Sequence, residues 1–328
     1  MSRVKLGATL FCYGTEYARY EYDFEECVKQ AALAGAEGYE IVATQMIPSY
    51  PDVSDEFVGK VQALKEKYGI GPVCYAANND KGMRCDRNLT DDEMLADAII
   101  DLKGANKLGC KVMRVQYMMS PEAFGRLAPY AELFDVKCGI EIHNPETPGS
   151  PTMQRYLEVI KKTGSKYLGF VPDFGFLSVQ PNRPQWMKAL EAGVKEEHLQ
   201  LAAKLRREGV SQEEAVQKVM AAGASPAIMP AIAGMFGFVQ FHDEKDLPAL
   251  LEELREILPY SFECHGKFHY LDEDCHEASI PYNEILPLLA EEGYDGYLIC
   301  EYEDELYCGG TEFTKRQMIM EKRLLGTE

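Results

Sequence analysis

The sequence contains no apolar run long enough to cross a bilayer, so no membrane-spanning helix is expected. Its start, Met1-Ser2-Arg3-Val4-Lys5, leads straight into a strand-like segment and lacks the layout of a secretory signal. A cytoplasmic protein is therefore expected. None of the ten cysteines forms a Cys-x-x-Cys pair, which argues against a zinc–thiolate cluster. Several sit in apolar strands beside polar residues, as Cys264 does next to His265 and Cys300 next to Glu301. Strand alternation turns each away from its neighbour, so they read as small buried hydrophobes in a reducing compartment. Basic residues are scarce: 34 Lys and Arg against 53 Asp and Glu give a net charge of −19. That argues against binding nucleic acid through its phosphates, and solubility accounts for the acidity. No G-x-G-x-x-G follows the first strand, so a dinucleotide fold has little support.

What is present is a repeated strand–helix rhythm. The chain has 328 residues, 46% of them hydrophobic, enough for one α/β domain with a sizeable core. Strands are expected at Val4–Phe11, Gly38–Val42, Pro72–Ala77 and Val112–Tyr117, and at four later segments ending in Glu141, Asp173, His265 and Glu301. Helices are expected at Asp23–Ala34, Ser54–Tyr68, Thr90–Leu108, Pro121–Phe134, Thr152–Thr163, Asp246–Ile257, Tyr282–Glu292 and Phe313–Leu324, several with a cap residue before them and Gly after. The strands are apolar with little alternation, as when both faces are buried. Eight βα units in one domain, residues 1–328, predict a closed parallel (β/α)8 barrel. One stretch breaks the rhythm. Residues 176–245, between the sixth and seventh strands, read as a helical insertion, with helices at Pro184–Glu208 and Ser211–Ala222 and an apolar segment at Ala227–Phe241. An insertion at this face is expected to be a lid or a subunit contact, or to pack on its own helices.

Four strands end in residues that bind metals: Cys138-Gly-Ile-Glu141-Ile-His143, Leu168-Gly-Phe-Val-Pro-Asp173, Ser261-Phe-Glu-Cys-His265 and Tyr297-Leu-Ile-Cys-Glu301. A parallel barrel gathers strand ends on one face, so Glu141, Asp173, His265 and Glu301 can meet there. Three carboxylates and one imidazole suit a divalent Mn²⁺, Mg²⁺ or Co²⁺ and leave positions for a substrate. His143 shares a face with Glu141 and is the candidate general base. Asp173 taken alone could merely cap a turn. Lys267 shares the face of His265 and could hold a substrate oxygen or a carboxylate ligand. Arg114, with Arg84 and Arg87, could touch substrate or lie free on the surface. His242 is the rival ligand to His265, whereas His198 and His276 read as surface residues.

This pattern resembles the xylose-isomerase-like barrel superfamily of sugar isomerases and epimerases, whose Glu, Asp, His and Glu ligands would fall on Glu141, Asp173, His265 and Glu301. The run Glu141-Ile-His-Asn-Pro145, the run His265-Gly-Lys-Phe268 and the long insertion further resemble the α subunit of bacterial C-glycoside deglycosidases. That resemblance implies a Mn²⁺-type ion, a small β subunit, and a substrate that is a 3-oxo-glucoside of an aromatic, flavonoid-type aglycone. It places the general base on His143. The reaction implied is removal of the C2 proton followed by β-elimination of the aglycone. The alternative is a sugar isomerase or epimerase working through an enediolate with Glu141 and Glu301 as its acid/base pair. A nuclease is disfavoured by the charge, and a binding protein would not need four ligands.

Overall fold

The computed structural model describes residues 4–237, 239–304 and 306–327. Met1–Arg3, Phe238 and Glu305, which belong to segments singled out in the sequence, lie outside the described residues.

Eight strands form one parallel sheet: β1 (Lys5–Thr9), β2 (Gly38–Val42), β3 (Pro72–Ala77), β4 (Val112–Val115), β5 (Lys137–Ile142), β6 (Leu168–Pro172), β7 (Glu263–Phe268) and β8 (Tyr297–Tyr302). Their order is β6-β5-β4-β3-β2-β1-β8-β7. The two ends of this sheet meet through isolated parallel bridges, Phe170 with Ser261 and Asp173 with His265, and the Phe262 amide donates to the Phe170 carbonyl at 3.0 Å. The result is the expected (β/α)8 barrel, nearly closed, with helices outside. Closure needs small residues at the seam, because a Cβ on Gly169 would collide with the Tyr260 carbonyl.

The local signals explain most of the helices. Asp23, Ser54 and Thr90 accept the expected N-terminal amide bonds, and Thr90 forms a reciprocal capping box with Glu93. Gly35, Gly69 and Gly109 end those helices in the left-handed region, with φ of 94°, 77° and 82°. Two expected helices are broken. The Pro121–Phe134 segment divides into Pro121–Arg126 and Ala128–Phe134, because Pro129 sits in the first turn of the second helix. The Pro184–Glu208 segment divides into Arg183–Glu191 and Glu196–Arg207, where Gly193 turns the chain at φ 81°.

Those two helices, with Gln212–Ala221 and Met229–Phe236, make up the insertion. It carries its own apolar core, in which Leu199, Ala202, Val219, Ile232 and Phe241 are buried, separate from the core between sheet and outer helices. His198 belongs to this buried set, not to the surface as expected from sequence, because it lies on the inward face of Glu196–Arg207. His276 is exposed. The insertion is pinned to the barrel mouth. Asn144 Nδ2 donates to the Gln240 carbonyl at 2.7 Å, and Tyr307 donates to Glu191 at 2.8 Å.

Candidate functional site

Parallel pairing gathers Glu141 near the end of β5, Asp173 just past β6, Glu301 near the end of β8, and His265 within β7, which runs on to Phe268 and does not end at His265 as expected. Glu141, Asp173, His265 and Glu301 each present a ligand atom, and these atoms all lie within 4.8 Å of one another. His265 Nδ1 is 3.1 Å from Glu141 Oε1 and 3.2 Å from Glu301 Oε2. Asp173 divides its two oxygens. Oδ1 accepts the Gly175 amide at 2.7 Å and caps the turn after β6, while Oδ2 faces the cluster. Turn capping and cluster membership are thus both features of this residue.

The cluster is buried and highly charged. Arg114 on β4 lies 3.5 Å from Glu141 Oε2. The Lys267 ammonium donates to Glu303 Oε2 at 2.6 Å and stands 3.0 Å from Asp173 Oδ2 and 3.1 Å from Glu301 Oε2. The last two are ion-pair distances without hydrogen-bond alignment, so Asp173 Oδ2 and Glu301 Oε2 stay buried with no donor. Burial, the largest influence on each group, opposes charge, and the neighbours decide the outcome. Arg114 and His265 outweigh burial at Glu141 and push its carboxyl down to about 2. Lys267 and His265 hold Glu301 well below the carboxylate range. Burial wins at Asp173 and raises it, despite Lys267. Glu301 and Glu40 raise the His265 imidazole well above its ordinary range.

The donor set fits a divalent cation. Three carboxylates and an imidazole converge, and two of the carboxylate oxygens lack a hydrogen-bond donor, with the Lys267 ammonium at ion-pair distance from both. Oxygen-rich ligands with one imidazole suit Mn²⁺, Mg²⁺ or Co²⁺ better than a thiophilic metal.

His143 stands beside this cluster, just beyond the end of β5. Its Nδ1 is 2.7 Å from the Asn144 carbonyl, which can only accept, so Nδ1 carries the proton. Nε2 is then the basic atom. It lies 3.4 Å from Lys267 Nζ and 3.6 Å from Asp173 Oδ2. His143, with Glu141 and Glu301 of the cluster, lines a cavity of about 260 Å³. Phe11, Gln45, Asn78, Tyr117 and Met118 line its other side.

Arg84 and Arg87 are not part of it. They are exposed and paired with Asp86 and Glu93. His242 is not in the four-residue cluster, and its amide donates to the Ser178 carbonyl. His269 follows β7, and its Nδ1 donates to the Glu303 carbonyl at 2.7 Å. The sequence reading missed Glu40 and Glu263. Both are buried, and with His265 they form a second close group below the first. The signal was there: each is a lone acid inside an apolar strand, Gly-Tyr-Glu-Ile-Val and Ser-Phe-Glu-Cys-His, where burial needs a reason.

A family model described as xylose isomerase-like TIM barrel matches residues 28–321. The chain is 31% identical to the C-glycoside deglycosidase alpha subunit of Arthrobacter globiformis over 93% of its own length and 86% of that protein's. It is 30% identical to a 3′-dehydrocarminate deglycosidase alpha subunit from a Microbacterium species, over 91% and 88% of the two chains. Among solved structures, D-psicose 3-epimerase from Clostridium cellulolyticum H10 superposes with a TM-score of 0.59 at 13% identity, over 98% of this chain and 99% of that one, a likeness of fold alone.

Proposed function

Because the chain belongs to the xylose isomerase-like TIM-barrel family, and within it to the family of C-glycoside deglycosidase alpha subunits, we propose that it cleaves C-glycosidic bonds of oxidised glucosides. The substrate in this reading is a 3-oxo-glucoside with an aromatic, flavonoid-type aglycone joined through carbon. The chain acts in the cytoplasm as the catalytic subunit of a two-component lyase, with a small β subunit as partner. The observation that carries the chemistry is the orientation of His143. Its Nδ1–H is tied to the Asn144 carbonyl, so Nε2 offers its lone pair at the cavity beside four convergent ligands.

Glu141, Asp173, His265 and Glu301 would hold a divalent cation, Mn²⁺ in our reading. When bound, such an ion supplies Lewis-acid stabilisation for charge developing on a substrate oxygen. The chain's own residues do the rest. An oxo group at C3 makes the C2 proton acidic, and His143 Nε2 removes it. The electron pair left on C2 forms the C1–C2 double bond as the bond from C1 to the aglycone carbon breaks. The sugar leaves as a conjugated enone, and the aglycone carbon takes up a proton. Electron-poor or phenolic aglycones carry the departing charge best. The imidazolium formed on His143 faces the Asp173 and Glu303 carboxylates, which stabilise it. Lys267 keeps those carboxylates in place, and Arg114 holds Glu141. The insertion, pinned through Gln240 to Asn144, covers the side of the site next to His143.

The test uses the full chain with its β subunit and a 3-oxo-C-glucoside. Cleavage is expected in the wild type and absent in His143→Phe, while Mn²⁺ binding is retained. Undiminished cleavage by that variant would remove His143 from the reaction. Exchange of a carbon-bound proton of a free ketose with D₂O, without the β subunit and without aglycone release, would favour the epimerase instead.

A further inference from the structure

His265 turns its two ring nitrogens to different neighbours. Nδ1 lies with Glu141 and Glu301. Nε2 points the other way, deeper into the barrel, 3.1 Å from Glu40 Oε2 and 3.7 Å from Glu263 Oε1. A neutral imidazole has one lone pair and one N–H. If Nδ1 gives its lone pair to a cation, Nε2 must carry the proton and needs an acceptor. At 3.7 Å Glu263 is beyond hydrogen-bond reach, and at 3.1 Å Glu40 is within it. Glu40 sits on β2, across the barrel from β7, and the register of β2 against β3 slips between Tyr39 and Glu40. Such irregularities re-aim side chains. Glu40 is wholly buried, with its other oxygen unpartnered, a costly placement that nothing in the chemistry above uses.

We infer that Glu40 is a positioning residue: it accepts the Nε2–H of His265, fixes the tautomer with the lone pair on Nδ1, and so orients the ligand toward Glu141, Asp173 and Glu301. The inference rests on the cation reading given above. Carboxylate acceptors of this kind make a ligating imidazole more basic as well as fixed in direction. The rival use of the same atoms is a second cation held by Glu40, Glu263 and His265, whose donor atoms are close enough together. That use would strip the proton from Nε2 while Nδ1 is also ligated. The hydrogen-bond distance to an anionic acceptor favours the proton.

The experiment is Mn²⁺ titration of the full chain by calorimetry, with folding checked by circular dichroism. Glu40→Leu should bind one Mn²⁺ roughly 10–100-fold more weakly than wild type. Glu40→Gln, whose side-chain oxygen still accepts, should recover most of that loss, which mere filling of space would not explain. Wild-type affinity in Glu40→Leu overturns the inference. So do two Mn²⁺ ions per wild-type chain with one lost in Glu40→Leu, because Nε2 would then hold metal. If wild type binds no divalent cation, the cation reading falls first and this inference with it. A measurement on the unaltered chain covers the case of a variant that does not fold. In ¹⁵N-histidine-labelled protein loaded with Zn²⁺, His265, identified by its loss in His265→Gln, should show a protonated Nε2 and a metal-bound Nδ1. The opposite tautomer overturns the assignment.

Discussion

The two halves of the barrel rim are built differently. Strands β5 to β8 deliver Glu141, Asp173, His265, Lys267 and Glu301, all buried and each held by more than one charged neighbour. The loops after β1 to β4 deliver Phe11, Gln45, Asn78, Tyr117 and Met118, which are uncharged and half-buried or exposed around the same cavity. Below this wall, the first half sends Glu40 and Arg114 into the charged cluster. The contrast suggests a division of labour in which one side fixes the reactive geometry and the other meets the variable part of a substrate.

The sharpest way to break this comparison is at the buried half. Asp173→Ala removes a ligand and a turn cap together. It should weaken Mn²⁺ binding beyond the roughly 100-fold that loss of an outer partner costs, and should abolish turnover. Near-normal affinity by calorimetry would sink the four-ligand centre. At the uncharged wall the effect should be smaller and of another kind. Tyr117→Ala should raise KM and alter discrimination among aglycones by about 10-fold, in keeping with the roughly 1–3 kcal/mol of a lost apolar contact. Mn²⁺ affinity should not change. A fall in kcat with KM intact would place Tyr117 in the chemistry and blur the two roles.

A third variant sharpens the boundary between barrel and insertion. Asn144→Ala leaves the Gln240 carbonyl without its donor, at a cost of about 1–3 kcal/mol. Thermal melting should fall by several degrees. An unchanged melting temperature would mean that the insertion is held in place without this contact.

A pH slope is expected behind the first half. Burial pushes the Asp101 carboxyl up to about 7, against the hydrogen bonds from Tyr75 and Tyr50 that lower it. The folded chain therefore keeps a proton that the unfolded chain releases above about pH 4. This group's contribution to stability is greatest below pH 4, declines as pH rises to 7, and is flat above that. Urea midpoints of Asp101→Asn should lack this component between pH 5 and 7. An identical slope in wild type and variant would refute it.

Much of this could be read from sequence because a parallel barrel turns strand ends into neighbours. Glu141, Asp173, His265 and Glu301 are legible as the last residues of apolar runs. Glu40 and Glu263 were not, since neither is the last residue of its apolar run, and only contacts across the barrel show what such an acid is for. Lys267 was legible as a residue on the His265 face, but its burial among Asp173, Glu301 and Glu303 depends on β8 pairing beside β7. The burial of His198 was hidden because its helix packs inside the insertion, whose arrangement no periodicity in the barrel predicts. Pro129 and Gly193 divide the helices expected at Pro121–Phe134 and Pro184–Glu208, each acting locally where the expectation followed the longer segment.

Every other junction around the ring is a ladder of several residues, whereas β6 meets β7 only at isolated bridges. Asp173 and His265 face each other across that join, at the point where the insertion leaves and re-enters. The least-paired join of the ring therefore also carries two of the four candidate ligands. An ion gripped from both banks would act as a clasp, and amide hydrogen exchange at Asp173 and Phe262 should slow when it is fastened.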